Sequence, residues 1–331
     1  MRFYSIRLIN PVTNNTVILN PSNKFVDDAI AKTTWTSHDQ YGVLNPGALN
    51  VEMDINVLPL GVFYFGAQIR VWGVGLPALG QASSLDNYGV EISAGMKPPY
   101  NLNKTPYGRL IAGQIYQGYG NWEGVNQHLD FVLKPFAVNP NQPANIPFVW
   151  KANTPLINAL TTALQAAFPG IAIQGTIAAY TQGHDVAAWY PDANSFGAEI
   201  TDLTKSRTSS GVSIILNGNV AYLSDDSYTP PPILLNFADL IGQPTWIGGA
   251  TIQFATVMRS DIAFASVVKF PHEIIPPYAL VTPAAAVPGL PSTNKASFQG
   301  TFRVIDVHHY GNFRQADATS WRTEYQAVVI L

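Results

Sequence analysis

The chain has 331 residues, which exceeds the usual size of one hydrophobic core, so two or three domains are expected. Only 12% of its residues are charged while 47% are hydrophobic, so much of the surface is uncharged and suited to contact with other proteins. The net charge of -3 argues against a protein that holds nucleic acid by neutralising phosphates, and the lack of cysteine excludes disulfides, thiolate nucleophiles and cysteine-bound metals.

The first third of the sequence has the pattern of β-structure. Residues 1–8 alternate like a strand and lack the apolar run of a signal peptide, and no long apolar stretch predicts membrane insertion. Apolar residues alternate at 49–55, and a short run covers 68–74, between Gly, Pro and Asn, which predicts the strands of a barrel or sandwich. A connector with a domain boundary near residue 136 is predicted from four prolines: Pro135, Pro140, Pro143 and Pro147.

The middle third is predicted to be α+β. Thr154 and Pro155 have the pattern of an N-cap followed by proline at the first helical position. Apolar residues spaced by three and four then predict an amphipathic helix over 156–167, and a second helix is predicted from Ser195. Asn217-Gly218 lies between two apolar runs and predicts a hairpin turn, because both residues tolerate positive φ.

The last third returns to β-structure after a proline-rich joint at 228–232. A proline- and alanine-rich loop at 276–291 is expected to be exposed and mobile. Strands are predicted on both sides of this loop, at 251–257, 262–270, 298–307 and 323–331.

Two pairs of short segments suggest an internal repeat. Residues 66–71 (GAQIRV) parallel 249–254 (GATIQF), and residues 119–122 (YGNW) parallel 310–313 (YGNF) in the same order. A Gly-Asn pair can reverse the chain, and the aromatic residues beside it can cover the open end of a barrel. We therefore predict two related barrels, with a chance similarity of turn sequences as the alternative.

The last third also carries a series of motifs, namely 240–244 (LIGQP), 252–254 (IQF), Asp261-Ile262, 307–309 (VHH) and 321–323 (WRT). This series is similar to the close of the baseplate hub proteins of contractile-tail, myovirus-type bacteriophages, a family with two tail-tube-like barrels per chain. The resemblance extends more weakly over the whole chain through its order of barrel, α/β insert and barrel. It implies a mainly β fold with an α+β insert, divided into a first β-barrel domain at 1–135, the insert at 136–235 and a second β-barrel domain at 236–331.

The resemblance also implies a function. A homotrimer with two barrels per chain would imitate the six-fold symmetry of the tail tube and present three-fold symmetry to the central spike protein. The implied partners are the tail tube protein, the spike and other baseplate proteins, with DNA only in transit through the channel. The implied place is the tail baseplate of the virion, after assembly in the host cytoplasm, and a hub-like part of a tail-derived injection machine is an open alternative.

Residues that could carry chemistry are few, and we predict no enzyme activity, no cofactor and no catalytic or metal-binding residues. The paired carboxylates do not have the pattern of two carboxyls that face each other across a glycosidase cleft. Two Asp-His pairs fall short of the three or four ligands that a metal site needs, and the histidines are expected at interfaces or barrel edges. The candidates are Glu52 with Asp54, Asp225 with Asp226, Glu199 with Asp202, Asp306 with His308, His184 with Asp185, and the remaining histidines His38, His128, His272 and His309.

Large aromatic residues fall in or beside the predicted strands. We expect them to fill barrel interiors or subunit interfaces. The alternative hypothesis is a carbohydrate-binding or carbohydrate-active β-protein of a phage tail tip, which would place several of them on one exposed face. The residues in question are Trp72, Trp122, Trp246, Trp321, Tyr107, Tyr116, Tyr119 and Tyr310.

Overall fold

The computed structural model of the chain describes residues 1–61, 66–97, 107–135, 145–208, 210–270, 298 and 300–330. With 46% strand and 14% helix, the fold is mainly β, as the sequence predicts. Within the described ranges, no helix is both long and apolar enough to cross a membrane. The α-helices are α1 (Leu76–Leu79), α2 (Leu156–Ala167) and α3 (Ala193–Lys205).

The first part of the chain forms strands whose alternate residues point into a core. In β1, for example, Tyr4, Ile6 and Leu8 are buried and the residues between them are partly exposed, as a period of two requires. These strands are β1 (Arg2–Ile9), β2 (Thr16–Leu19), β3 (Phe25–Asp28), β4 (Trp35–Thr36), β5 (Val51–Val57), β6 (Ala67–Trp72), β7 (Gly89–Met96), β8 (Gly108–Glu123) and β9 (Asn126–Lys134).

The middle and last parts add eleven strands to the described chain. Those of the middle part form two small sheets, one of β10 and β12 and one in the order β11-β14-β13. The strands are β10 (Ile146–Trp150), β11 (Ala172–Thr176), β12 (Val186–Tyr190), β13 (Ser213–Asn217), β14 (Val220–Ser224), β15 (Ile233–Leu234), β16 (Thr245–Trp246), β17 (Thr251–Val257), β18 (Val267–Lys269), β19 (Thr301–Asn312) and β20 (Trp321–Ile330).

One large sheet runs through both ends of the chain. Its order is β16-β17-β20-β19-β5-β6-β9-β8-β7-β1-β2-β3, and β4, β15 and β18 pair beside this path. The junction is strand β19, which pairs with β20 on one side and, from Val307 to Asn312, with β5 on the other. The last part of the chain therefore continues the sheet of the first part.

Three clusters of buried apolar side chains hold these layers together. The first lies within β1 and β5–β9, the second packs α2 and α3 against the strands of the middle part, and the third lies within β17–β20. Among the described strands β1 and β5 do not pair, and Tyr4 spans this gap by donating its hydroxyl to the Leu49 carbonyl at 2.7 Å. The first cluster also contains Met258 and Trp321, so the last part of the chain contributes to the core of the first.

The two ends of the chain contain the same three-stranded antiparallel unit. β6-β9-β8 and β17-β20-β19 have the same order and directions, and in each unit one bulge interrupts the pairing of the second strand with the third. The register of the Tyr-Gly-Asn segments is different: Tyr119 lies opposite Asp130, whereas Tyr310 lies opposite Arg322, four residues further along the unit. The two registers differ because the connections differ in length: β8 and β9 are joined by only two residues, whereas the connection between β19 and β20 is longer.

The Tyr-Gly-Asn segments do not reverse the chain as predicted. Residues 119–122 lie inside β8, whose turn comes later at 124–125, and residues 310–312 lie inside β19. The glycine of the first segment instead permits a close approach. A Cβ atom on Gly120 would lie 2.4 Å from the carbonyl oxygen of Leu79 in α1, so only glycine fits there.

Two local predictions in the middle part need correction. Helix α2 begins and ends at the predicted residues, but Pro155 occupies the N-cap position and Thr154 donates its hydroxyl to Lys151 O at 2.7 Å. The predicted hairpin forms one residue later, with its turn at 218–219 and a φ of 65° at Gly218. The Asn217 side chain is thereby free to accept a hydrogen bond from the backbone N–H of Ala112 in β8 at 2.7 Å.

The strand predicted at 262–270 is much shorter than expected. Ala265 has a φ of 63°, which breaks an extended strand, so only Val267–Lys269 pairs within the sheet. Helix α3 begins slightly before the predicted Ser195, because Asp192 caps it by accepting from the Ser195 N–H. The predicted boundary near residue 136 and the predicted loop at 276–291 lie outside the described residues.

Candidate functional site

The outer surface of the large sheet is polar where the two ends of the chain meet. Side chains alternate across each strand, so the residues between the buried ones share this surface. We call it the polar face. It consists of Thr245 of β16, Gln253 of β17, Arg322 and Glu324 of β20, His308, Tyr310 and Asn312 of β19, Glu52 and Asp54 of β5, Gln68 and Arg70 of β6, Asp130 and Val132 of β9, and Gln117, Tyr119 and Asn121 of β8.

Directly opposed residues form a ladder across the polar face. Glu52, Arg70 and Asp130 are neighbours on three adjacent strands, and Tyr119 follows on the fourth. Arg70 Nε donates to Asp130 Oδ1 at 2.6 Å, and Asn121 Nδ2 donates to Asp130 Oδ2 at 2.6 Å. The hydrogen bond from Arg70 to Asp130 raises the pKa of the guanidinium above its usual value. These contacts hold the charged groups in fixed positions on the sheet.

Two side-chain contacts cross the junction between β5 and β19. His308 Nε2 lies 2.7 Å from Asp54 Oδ1, and Asn312 Nδ2 donates to Glu52 Oε1 at 3.0 Å. The side chains of His308 and Asp54 are 32% and 49% exposed. The polar face is therefore continuous across the boundary between the two units.

A groove of about 410 Å³ lies on the polar face. Tyr119 and Tyr310 both line it, so the Tyr-Gly-Asn segments contribute to one surface although their registers differ. Three carboxylates and one guanidinium also line the groove, those of Glu52, Asp54, Asp130 and Arg70. The groove thus carries an excess of negative charge, which repels phosphate groups.

Beneath the polar face lies a fully buried histidine. His309 Nδ1 is 2.8 Å from the Thr323 hydroxyl on the neighbouring strand. Desolvation, with a smaller contribution from the charge of His308, lowers the pKa of His309 to about 3. This side chain is therefore neutral at ordinary pH. Burial has the opposite effect on nearby Asp306, whose pKa is raised.

The candidate carboxylate pairs lie in different surroundings. Glu52 and Asp54 share one face of β5, and both line the groove. Asp225 is buried and accepts from the Tyr180 hydroxyl at 2.7 Å, while Asp226 binds Arg303 at 3.0 Å. Asp202 on α3 forms an ion pair with Lys205 at 2.7 Å and does not approach the groove. Of the three candidate pairs, only Glu52 with Asp54 lines the groove, so no second pair faces it across the groove.

The histidine pairs also separate. His308 contacts Asp54 rather than Asp306, and Asp185, beside His184, accepts from the Ala152 N–H at 2.7 Å. His38, His128 and His309 are buried, and His272 lies outside the described residues. Across the part of the chain that is described, no three His, Asp or Glu side chains are grouped in a way that could hold a metal ion.

The aromatic residues divide between core and surface. Trp246 and Trp321 are each 2% exposed and fill two of the cores. Tyr116 and Tyr119 are 44% exposed, Tyr310 is 38% exposed and Trp122 is 63% exposed. The expectation of aromatic residues filling cores therefore holds for the first group, and the second group lies along β8 and at the groove.

Three residues of the groove, Arg70, Asp130 and Gln68, were not among the site candidates from the sequence. The signal was present in the alternation of β6 and β9, where polar residues at every second position mark one outward face. Strand order, which brings β6 beside β5 and β9 beside β6, is not contained in that alternation.

Comparison with known proteins gives a shared fold and no family assignment. No protein-family model matches the chain, and no curated protein matches it. The structure of a tail protein from Neisseria meningitidis MC58 is similar, with a TM-score of 0.51 at 8% identity over 99% of this chain and 96% of that one. Further similar structures are the 43 kDa tail protein of prophage MuSo2 from Shewanella oneidensis (TM-score 0.47, 7% identity, 85% and 98% covered) and a chain of the Francisella PdpA-VgrG complex (TM-score 0.48, 8% identity, 99% and 57% covered). The likeness to the Neisseria protein shows that this chain has the fold of a tail protein.

Proposed function

We propose that this chain is a structural hub of a contractile phage tail baseplate, a homotrimer that joins the six-fold tail tube to the three-fold central spike. The observation that carries the proposal is the pair of matching units, β6-β9-β8 and β17-β20-β19, side by side in one sheet. Three chains in a closed ring would supply six such units, which is what a symmetry adaptor requires. The fold shared with a tail protein and the motifs of the last third support the same function.

In this proposal the polar face lines the channel of the ring. Its groove carries three carboxylates against one guanidinium, so DNA in transit would be repelled from the wall rather than bound. The side chains are held by Arg70–Asp130 and His308–Asp54 contacts, which keep the wall regular across both units.

The proposed function also gives each part of the chain a structural role and a set of partners. Residues 1–135 and 236–331 form the two barrel domains and residues 136–235 the insert, a division supported by the three buried clusters. Exposed apolar side chains such as Phe237, 72% exposed, and Leu234, 66% exposed, are available for the tail tube protein, the spike or other baseplate proteins. The role depends on shape and requires no catalytic residue, and its place is the tail baseplate of the virion after assembly in the host cytoplasm.

The oligomeric state tests the proposal. We expect the mass of the isolated chain to rise with concentration from monomer to trimer, because ring closure depends on mass action. Electron micrographs of the trimer should show rings with three-fold or pseudo-six-fold symmetry. A strictly monomeric chain at high concentration, unchanged by added tube and spike proteins, would contradict it.

One observation favours a second candidate, a carbohydrate-binding protein of a tail tip. Tyr119 and Tyr310 are both exposed in a groove that is also lined by hydrogen-bonding side chains such as Gln68, Arg70 and Asp130, an arrangement that suits a sugar ring. Titration with soluble cell-wall oligosaccharides tests this function. Saturable binding that is lost in Tyr119→Ala and Tyr310→Ala would favour it, and the absence of binding would remove it.

A further inference from the structure

Strand β8 has a free edge along its outer half. β7 pairs with β8 only from Gly108 to Gln114, and from Gln117 to Glu123 the sole strand neighbour among the described residues is β9. Strand β19, the equivalent strand of the other unit, is also divided into two parts. β18 pairs with its beginning, and β5 pairs with its outer half from Val307 to Asn312. The free part of β8 thus corresponds to a part of β19 that another strand covers.

The free edge has backbone groups available for pairing. The N–H of Gly118 points away from β9 and is already bonded to Asp86 Oδ1 at 2.8 Å. Backbone groups alternate in direction along a strand, so those of Gly120 and Trp122 point the same way and are the ones left for a further strand. Trp122 is 63% exposed at this edge. Such an edge is a template for a further strand.

Strand β16 begins the path of the large sheet and, among the described residues, has a strand neighbour on one side only, so it is the complementary free edge. It pairs antiparallel with β17, just as β5 pairs antiparallel with β6, and in each case the first strand precedes the second along the chain. Ile247 donates its N–H to Thr251 O at 3.0 Å, so the backbone of Trp246, one residue earlier, points away from β17. In its own unit, β16 therefore occupies the position that β5 occupies in the other.

We propose that β16 of one copy pairs antiparallel with the outer half of β8 in a second copy. The intrachain pair of β19 and β5 is the model for this contact, because it joins the equivalent edges of the two units. The path from β16 to β8 contains eight antiparallel strands, and an even number makes every such junction antiparallel. Identical head-to-tail contacts of this kind form a ring when the rotation between neighbouring copies closes, as it would in the proposed trimer. The inference rests on the proposed trimeric ring and identifies the strands that hold it together.

Disulfide trapping tests the contact, since the natural chain has no cysteine. In the intrachain pair of β19 and β5, Asn312 lies opposite Glu52. When the paired residues of the two units are matched strand by strand, Thr245 corresponds to Glu52 and Val125 to Asn312, so a cysteine at 245 can meet one at 125, or at 123 one pair earlier, across the junction. Opposed residues of antiparallel strands have Cβ atoms about 4.5–5.5 Å apart, close to what a disulfide accepts. We expect T245C/V125C or T245C/E123C to give covalent trimers on oxidation. The control T245C/Q68C, with Gln68 exposed in the middle of the sheet, should remain monomeric on a denaturing gel.

The possible outcomes distinguish the β8–β16 contact from the proposed trimeric ring. A trimer by mass without cross-links in either double variant overturns the β8–β16 pairing and leaves the proposed hub intact, whereas a monomer overturns both. Trp122→Lys is a second variant that does not depend on cysteine geometry, because a charge on an edge strand blocks pairing. We expect loss of the trimer with Trp122→Lys and no loss with Ile30→Lys, at a position 90% exposed outside the free edge. An intact trimer in Trp122→Lys contradicts the inference.

Discussion

Two buried polar side chains in the last part of the chain depend on very few partners. His309 has the Thr323 hydroxyl, and the Arg259 guanidinium, 2% exposed, lies between the carboxylates of Asp261 and Asp239. Burial makes each of these side chains sensitive to a change that a surface residue would tolerate, because water cannot replace a lost partner.

His309 should make stability depend on pH. The unfolded side chain takes up a proton near its ordinary pKa of 6.5, but the folded one does so only at about 3. The contribution of neutral His309 is therefore complete above pH 6.5 and is lost as the pH falls from 6.5 towards 3. Between pH 7 and pH 5 this single residue should lower the free energy of unfolding by about 2 kcal/mol.

His309→Asn is the matched variant, because its amide keeps a polar atom near the position of Nδ1 and does not titrate. Denaturant unfolding at the two pH values measures the effect in both proteins. The natural chain should lose more stability than the variant on acidification, and equal losses would show that His309 does not carry this pH dependence.

Arg259 should contribute far more to the free energy of unfolding than an arginine on the polar face. Its Nε and Nη2 donate to the partly exposed Asp261 carboxylate at 2.6 and 2.7 Å, and Arg259→Met would leave that carboxylate and the buried one of Asp239 without a counter-charge. We expect a loss of about 3–5 kcal/mol in the free energy of unfolding. Arg322→Met, which removes the partly exposed pair with Glu324, should cost no more than about 1 kcal/mol. Similar losses in chemical denaturation of the two variants would contradict this ranking.

At the scale of elements, the two ends of the chain are not independent. Strand β19 of the last part of the chain pairs with β5 of the first part, and Trp321 of β20 belongs to the buried cluster of the first part. Its indole N–H donates to the Gly95 carbonyl of β7 at 3.0 Å. We therefore expect both ends of the chain to unfold together.

Trp321→Ala tests this coupling. Removing a buried tryptophan should lower the free energy of unfolding by about 3–5 kcal/mol. Hydrogen exchange should report the loss in β7 and β1 as well as in β20, since all three surround the same core. Trp189→Ala, at a position 60% exposed, should change stability by less than about 0.5 kcal/mol. A loss confined to the last part of the chain would count against coupling.

The sequence predicts elements better than their arrangement. Periodic patterns locate α2, β17 and β20 within two residues, because each depends on spacing along the chain. They fail at Asn217 and at 262–266, where contacts with another strand and a positive φ at Ala265 decide the local structure. The polar face is harder to predict from the sequence. Glu52 and Asp54 can be recognised as a pair, but Arg70 and Asp130 become their neighbours only once strand order is known.

At the scale of the whole molecule, the proposed channel makes a prediction about DNA passage. Gln68 and Gln253 are exposed and uncharged on the polar face, so Gln68→Arg and Gln253→Arg add positive charge without breaking an ion pair. We expect particles assembled with these variants to eject DNA more slowly, because phosphates would bind the wall. Gln165→Arg, on the exposed side of α2, is the control. Unchanged ejection kinetics in all three variants would remove the channel assignment.

The pairing of β5 with β19 has a consequence for the nascent polypeptide on the ribosome. Asp54 meets a histidine 254 positions further along the chain, so the ribosome must add all of those residues before this edge of the first unit can be completed. Contacts between such distant positions form slowly, because a long loop must close first. During translation β5 therefore remains an uncovered edge that can pair with other nascent chains, and chaperones that shield this strand should raise the yield of correctly folded protein.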